Sequence, residues 1–257
     1  VSPGTMLPAT MLPARHGVAR VISKMGLASR TQAAQWVRAG RVRVNGQLVQ
    51  DPEHPVRQGL DLLAIDGQET GAVRRIVVML NKPRGLVTTR SDEQGRETVY
   101  RCFAGSGLPW LAPVGRLDKA SEGLLLFCND PSWAASVTDP ANIRRAGAVP
   151  AKGVDKTYHV QINCLPNAAL LAGLEQGVIC DGERLRPKSV RTLRRGLKQA
   201  WLEIVLDEGR NRQIRRLLAA LDVMVLRLVR VAVGTLTLGA LAKGKWRELT
   251  PEEIESL

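Results

Sequence analysis

One carboxylate stands out for its surroundings. Asp118 lies in Gly115-Arg116-Leu117-Asp118-Lys119-Ala120-Ser121-Glu122-Gly123, immediately before the apolar run Leu124-Leu125-Leu126. The glycines let backbone approach closely. The flanking Arg116 and Lys119 favour the charged form of Asp118. An ionised, positioned carboxylate can act as a nucleophile. Taken alone, an aspartate beside an arginine is more commonly a structural ion pair.

Two further segments could supply its companions. In Lys156-Thr157-Tyr158-His159-Val160-Gln161-Ile162 the alternation places Lys156, Tyr158 and Val160 on one face of a strand. A tyrosine aimed into a cleft can stack on a base and offer its hydroxyl, although a core tyrosine is the commoner case. With two tyrosines and 4% aromatic residues in the chain, a single shaped pocket fits better than a broad stacking surface. The third segment is Glu208-Gly209-Arg210-Asn211-Arg212-Gln213-Ile214-Arg215-Arg216-Leu217-Leu218. A helix starting near Asn211 sets Arg212, Arg215 and Arg216 on one side and Ile214, Leu217, Leu218 and Leu221 on the other. One of these arginines could pair with Asp118, and others could hold phosphates. No acidic residue follows at helical spacing except Asp222.

The elements that must position these residues are legible in outline. Apolar or alternating runs predict strands at 76–80, 86–89, 124–127, 157–162, 201–206 and 226–233, with helices at 132–138, 167–175 and 211–221. Strands with scattered helices predict an α+β domain over 76–257, built on a mixed but mostly antiparallel sheet. Ahead of it, residues 17–70 form a separate small α/β unit. Val18, Val21, Ile22 and Met25 have helical spacing, Ser29 can cap a second helix that Gly40 ends, and Asn45-Gly46 predicts a tight hairpin turn. Residues 71–75 read as a linker. Residues 1–16, broken by Pro3, Pro8 and Pro13, read as a disordered lead-in rather than a signal peptide.

Charge narrows the partner. The chain of 257 residues has a formal net charge of +13. An excess of that size favours a polyanion, and no apolar run approaches the roughly 20 residues that span a bilayer. Nucleic acid is therefore the expected partner, with no membrane. Residues 15–43 contain seven cations and no acid, among them Arg20, Lys24, Arg30, Arg38, Arg41 and Arg43, which suits a phosphate backbone. Cys102, Cys128, Cys164 and Cys180 lack metal-ligand spacing, so reduced thiols in the cytoplasm are expected. No phosphate loop or metal cluster is evident, and no cofactor is expected.

The first unit resembles the S4 RNA-binding domain, through R20-x-x-x-K24-x-G26-x-x-S29-R30-x-x-A33 and G40-R41-V42-x-V44-N45-G46. That resemblance implies binding of structured RNA. The rest of the chain resembles the pseudouridine synthases that act on small-subunit and large-subunit ribosomal RNA. The likeness rests on the Asp118 string, the Tyr158 strand and the arginine segment in that order. Asn81-Lys82-Pro83-Arg84-Gly85-Leu86-Val87-Thr88-Thr89, Leu228-x-Arg230 and the C-terminal Gly244-x-Trp246-Arg247 add to it. The resemblance implies that Asp118 is the catalytic aspartate and Tyr158 the active-site tyrosine. It makes Arg215 the best match for the arginine paired with the aspartate, ahead of Arg216 or Arg210. RNA contacts are expected from Lys82, Arg84, Arg116, Lys156, Arg210, Arg212 and Arg216, and from a long basic loop at 139–155.

The implied reaction converts a specific uridine of ribosomal RNA to pseudouridine, in a monomer acting on that RNA or on an assembling ribosomal subunit. Large-subunit RNA is favoured over small-subunit RNA because of the arginine segment. The target must leave its stack first, which costs a few kcal/mol. Asp118 then acts at C1′ or removes a proton at C2′. A rival reading is a non-catalytic S4-type RNA-binding or ribosome-assembly protein. It explains the charge but not the company of Asp118, Tyr158 and the arginines.

Overall fold

The computed structural model describes residues 14–58, 60–71, 74–138 and 154–257. Of the disordered lead-in expected over 1–16, residues up to 13 lie outside the described residues, whereas His16 is ordered and pairs with Val56; of the basic loop expected over 139–155, residues 139–153 lie outside them. The chain divides into two compact units, one formed mainly by the residues up to Arg75 and the other by most of Ile76–Leu257.

The first unit pairs two helices with a small sheet. Helix α1 (Val18–Lys24) buries Val18, Ala19, Val21 and Ile22, and α2 (Arg30–Arg38) buries Ala33 and Val37. Ser29 caps α2, its hydroxyl accepting from Gln32 N at 3.1 Å. Such a cap contributes about 1 kcal/mol. Strands β1 (His16–Gly17) and β4 (Pro55–Val56) pair with each other. Strands β2 (Val42–Val44), β3 (Gln47–Val49), β5 (Leu63–Ile65) and β6 (Gln68–Glu69) form a sheet in the order β3-β2-β5-β6. The β2–β3 turn has Asn45 at φ 50° and Gly46 at φ 81°, the backbone that the Asn-Gly pair predicts. Val42, Val44, Val49 and Val56 close the core against both helices.

The one-sign surface expected over 15–43 is partly neutralised. Arg30 pairs with Glu53 at 3.1 Å, and Arg41 pairs with Asp66. Both acids come from later in the chain, where a local charge count does not reach.

The second unit is built on β7 (Val77–Lys82), β8 (Ala112–Val114), β9 (Glu122–Cys128), β10 (Lys156–Ile162), β11 (Val178–Cys180), β12 (Glu183–Leu185), β13 (Ser189–Arg195), β14 (Ala200–Leu206), β15 (Val225–Val233), β16 (Leu236–Thr237) and β17 (Trp246–Glu248). A mixed sheet runs β13-β14-β10-β15-β9-β7-β17, with β16 on β15 and β8 on β9. Strands β11 and β12 make a separate hairpin. Every residue of β7 and β9 is buried, as a strand covered on both faces requires. By contrast β10 and β14 alternate between buried and half-buried. Helices α3 (Pro131–Thr138), α4 (Ala168–Gln176), α5 (Gln213–Ala219) and α6 (Pro251–Glu255) complete the unit.

One pairing governs the site. β15 runs parallel to β9, with Val229 opposite Glu122 and Arg230 opposite Gly123. Gly123 has φ 100°, and a Cβ there would sit 2.2 Å from Arg230 O. Only glycine permits that approach, so the last glycine of the Asp118 string docks the string against β15.

Two expectations need correction. Residues 86–89 form no strand: Val87 makes one isolated bridge to Thr98. Its backbone partners are Glu97 O and Val99 N, and Thr88 is committed elsewhere. The arginine helix begins at Gln213 rather than Asn211, because Arg212 takes a left-handed conformation at φ 48°.

Candidate active site

The loop carrying Asp118 is held by its carbonyls. Leu117 O accepts from Thr88 Oγ1 at 2.7 Å, and Asp118 O from Lys82 Nζ at 3.2 Å. Lys119 O accepts from Gly85 N at 2.8 Å, Ala120 O from Arg215 Nη2 at 3.4 Å, and Ser121 O from Lys82 Nζ at 2.9 Å. Five consecutive carbonyls thus have donors from outside the loop, three of those donors from the segment 82–88. The third proton of Lys82 goes to Pro83 O at 3.1 Å. An ammonium has three donors and no acceptor, and here all three are used.

Lys82 therefore cannot serve as the phosphate contact expected of it. It is 0% exposed, and burial pushes its pKa down to about 8.

The ion-pair partner of Asp118 also differs from expectation. Arg212 Nη1 lies 3.3 Å from Asp118 Oδ2. Arg215, two residues into α5, turns its guanidinium to Ala120 O and to Val225 O. Burial lowers its pKa, the cations of Arg212 and Arg84 add to that, and Asp118 opposes them. Arg215 thus braces the loop while Arg212 meets the carboxylate. The left-handed backbone at Arg212 produces this division of labour, because it breaks the helical phase on which the sequence expectation rested.

Arg216, expected to contact RNA, is engaged by Glu183 at 2.8 Å and Asp181 at 3.0 Å. Hydrogen bonding to Glu183 raises its pKa. Those acids come from the β11–β12 hairpin rather than from helical neighbours. Arg210 pairs with Glu208 at 2.9 Å and still borders the cavity.

Asp118, Tyr158, Arg116, Lys156, Arg210 and Arg212 line one cavity of about 270 Å³. This is near the small end of small-molecule sites, which begin at roughly 300 Å³. Tyr158 is 9% exposed and sits on β10 opposite Arg230 of β15. Lys156, half-buried, donates to Val154 O, and burial lowers its pKa. Arg230, Ser121 and Gln213 line the cavity as well and were not among the expected site residues. Arg230 donates to Leu124 O at 2.7 Å and pairs with no carboxylate among the described residues. An arginine in the apolar half of the strand Leu-Arg-Leu-Val-Arg-Val-Ala-Val, between Val229 and Val231, was its available signal.

Glu122, next to Ser121 in the chain, is buried and receives Arg227 Nε and Nη2 at 3.0 Å each, together with Lys243. Burial alone would raise its pKa, but the hydrogen bonds from Arg227 and Lys243 outweigh that and leave it lowered.

A carboxylate, a tyrosine and several cations thus share one cavity. The RNA pseudouridylate synthase family matches residues 76–220, and the S4 domain family matches residues 18–62. The chain belongs to the RNA pseudouridylate synthase family. It is 32% identical over 241 residues to the ribosomal large subunit pseudouridine synthase B of Bacillus subtilis, covering 93% of each chain. It is 37% identical over 188 residues to the ribosomal large subunit pseudouridine synthase E of Xanthomonas campestris pv. campestris, covering 67% of this chain and 94% of that one. A crystal structure of a pseudouridylate synthase aligns with a TM-score of 0.61 at 27% identity, covering 95% of this chain and 99% of the other. This pseudouridine synthase thus joins an S4 RNA-binding domain to an α+β catalytic domain. No helix among the described residues is long and apolar enough to cross a membrane.

Proposed function

We propose that this pseudouridine synthase modifies a uridine of large-subunit ribosomal RNA, with Asp118 acting on the flipped-out nucleotide. The observation that carries this reading is the placement of Asp118. It stands in a loop clamped at five carbonyls, on a cavity shared with Tyr158 and a set of cations. The relatives named for the large subunit support the choice of RNA. Four reduced thiols fit a cytoplasmic enzyme.

In the reaction the N1–C1′ bond breaks, the uracil turns over, and C5 bonds to C1′. The C5 proton leaves, and N1 takes up a proton. Asp118 serves at C1′ as nucleophile or at C2′ as base. A primary isotope effect from deuterium at C2′ separates the two. Tyr158 is the candidate acceptor of the C5 proton. Arg230 and Lys156, both lining the cavity, offer positive charge to the phosphates of the extruded nucleotide. Those contacts offset the cost of unstacking.

The test is Asp118→Asn. The variant is expected to bind RNA as the parent does and to release no tritium from C5-labelled uridine; full turnover overturns the reading. Mapping pseudouridines in both ribosomal RNAs, with and without the enzyme, identifies the target. Modification confined to small-subunit RNA overturns the choice of subunit.

A further inference from the structure

Among the buried polar atoms with no hydrogen-bond partner among the described residues are Ser121 Oγ and Gln213 Oε1. Ser121 is 1% exposed and Gln213 2%, and both residues line the cavity. Each lies close in sequence to one half of the Asp118–Arg212 ion pair.

The polarity of these two atoms is defined. Gln213 Nε2 donates to Glu208 Oε1 at 2.7 Å, and the other Glu208 oxygen is held by Arg210 Nε at 2.9 Å. A carboxylate only accepts, so the amide nitrogen must face Glu208, and Oε1 is left as a pure acceptor. A serine hydroxyl rotates and can donate. One acceptor and one donor, each on a residue that lines this small cavity, therefore stand unsatisfied, which is unfavourable.

Uracil presents the complement. Its N3–H is a donor flanked by the acceptors O2 and O4. We propose that Gln213 Oε1 accepts from N3–H while Ser121 Oγ donates to the adjacent carbonyl oxygen, so that this pair selects uracil and holds it during its turn. The inference rests on the uridine reading of the cavity. Cytosine has an acceptor at N3, so it opposes acceptor to acceptor at Gln213. Sites with unmatched buried polar groups reject such analogues strongly. The turn itself fits the same pair. Exchanging N1 for C5 at the ribose is a half-rotation about the axis through C6 and N3. N3–H lies on that axis and keeps its partner. O2 and O4 exchange places, so Ser121 meets a carbonyl oxygen before and after.

The test uses the full chain. Large-subunit ribosomal RNA transcripts are treated with enzyme and the modified site is mapped. RNA fragments are then made with uridine or cytidine at that position. The parent enzyme is expected to bind the uridine fragment at least about tenfold tighter. Ser121→Ala and Gln213→Met are expected to bring the two affinities together and to slow single-turnover isomerisation about tenfold or more. Ser121→Thr, which keeps the hydroxyl, is expected to retain both properties. Glu208→Gln provides a readout independent of any packing defect at Gln213, because it frees the amide to reverse and should also relax discrimination. Folded variants that keep full discrimination and rate overturn the inference while leaving the uridine reading intact. A parent enzyme that forms no pseudouridine in any RNA overturns the uridine reading instead.

Discussion

Arg212 meets Asp118 across 94 positions of chain, Nη1 to Oδ2 at 3.3 Å, from a left-handed backbone conformation at the start of α5. Non-glycine residues adopt that conformation infrequently, and here it aims the side chain at the Asp118 loop. The pair is partly solvated, with side chains 52% and 35% exposed, so its contribution to stability is small, about 0–1 kcal/mol. Arg212→Gly relieves the backbone and removes the charge. It is expected to leave the melting temperature nearly unchanged while lowering kcat by about a hundredfold, or about 2.7 kcal/mol of barrier. Arg212→Lys should recover part of the loss. Thermal melts and single-turnover assays decide; a melting temperature that falls with full activity contradicts this assignment.

Lys82 should reveal itself in alkali. Its folded pKa, about 8, lies below the ordinary 10.5. Between those values the unfolded chain holds more protons than the folded one, so stability should rise with pH over that window. Lys82→Met should flatten the rise. It also strips the donor from three carbonyls, so the variant should be less stable at neutral pH and slower in kcat, with RNA affinity retained. Urea melts from neutral to strongly alkaline pH provide the measurement.

Much of this arrangement could be read from the chain beforehand, and the failures have specific causes. Leu124–Phe127 and the alternating segments of β10, β14 and β15 announced themselves because burial on one or both faces imposes a pattern. Strand β13 did not. It is an edge strand of sequence Ser-Val-Arg-Thr-Leu-Arg-Arg, whose outward positions are cationic and whose apolar content is low. Arg216 looked available because its acids, Asp181 and Glu183, lie far off in sequence. Asp118 and Tyr158, which the fold brings onto one cavity, stand in local strings that single them out. The choice between Arg212 and Arg215 was not, because it depends on one backbone torsion.

Glu122 predicts acid sensitivity. Its pKa is lowered in the folded protein, so its contribution is present above the ordinary carboxylate value near 4.5 and is lost as pH falls through the folded value. Glu122→Gln leaves Arg227 and Lys243 without their carboxylate. Since both cations are partly solvated, the cost is expected to be modest, about 1–2 kcal/mol at neutral pH, with a weaker loss of stability in acid. Denaturant titration at neutral and at acid pH distinguishes parent from variant.

In the S4 domain, cations differ in how available they are. Arg20 and Arg38 are exposed and form no ion pair among the described residues, whereas Arg41 is bound to Asp66. Arg20→Glu and Arg38→Glu should each weaken RNA binding and reduce its salt dependence, by about one counterion for each phosphate no longer neutralised. Arg41→Gln should do less of both. Deleting residues 1–70 should remove the whole contribution while the catalytic domain stays folded. Binding measured at several salt concentrations reads all four.

The clamp on residues 117–121 grips main chain and ignores side chains. Lys119 and Ala120 contribute only their carbonyls to it. Those two positions can therefore drift through mutation at little cost to the placement of Asp118, provided that backbone conformation is kept. The demand for identity shifts to the side-chain donors Lys82, Thr88 and Arg215, and to Gly85, whose φ of 101° favours glycine. A saturation screen should accordingly find tolerance immediately beside Asp118 and intolerance at partners far away in the sequence.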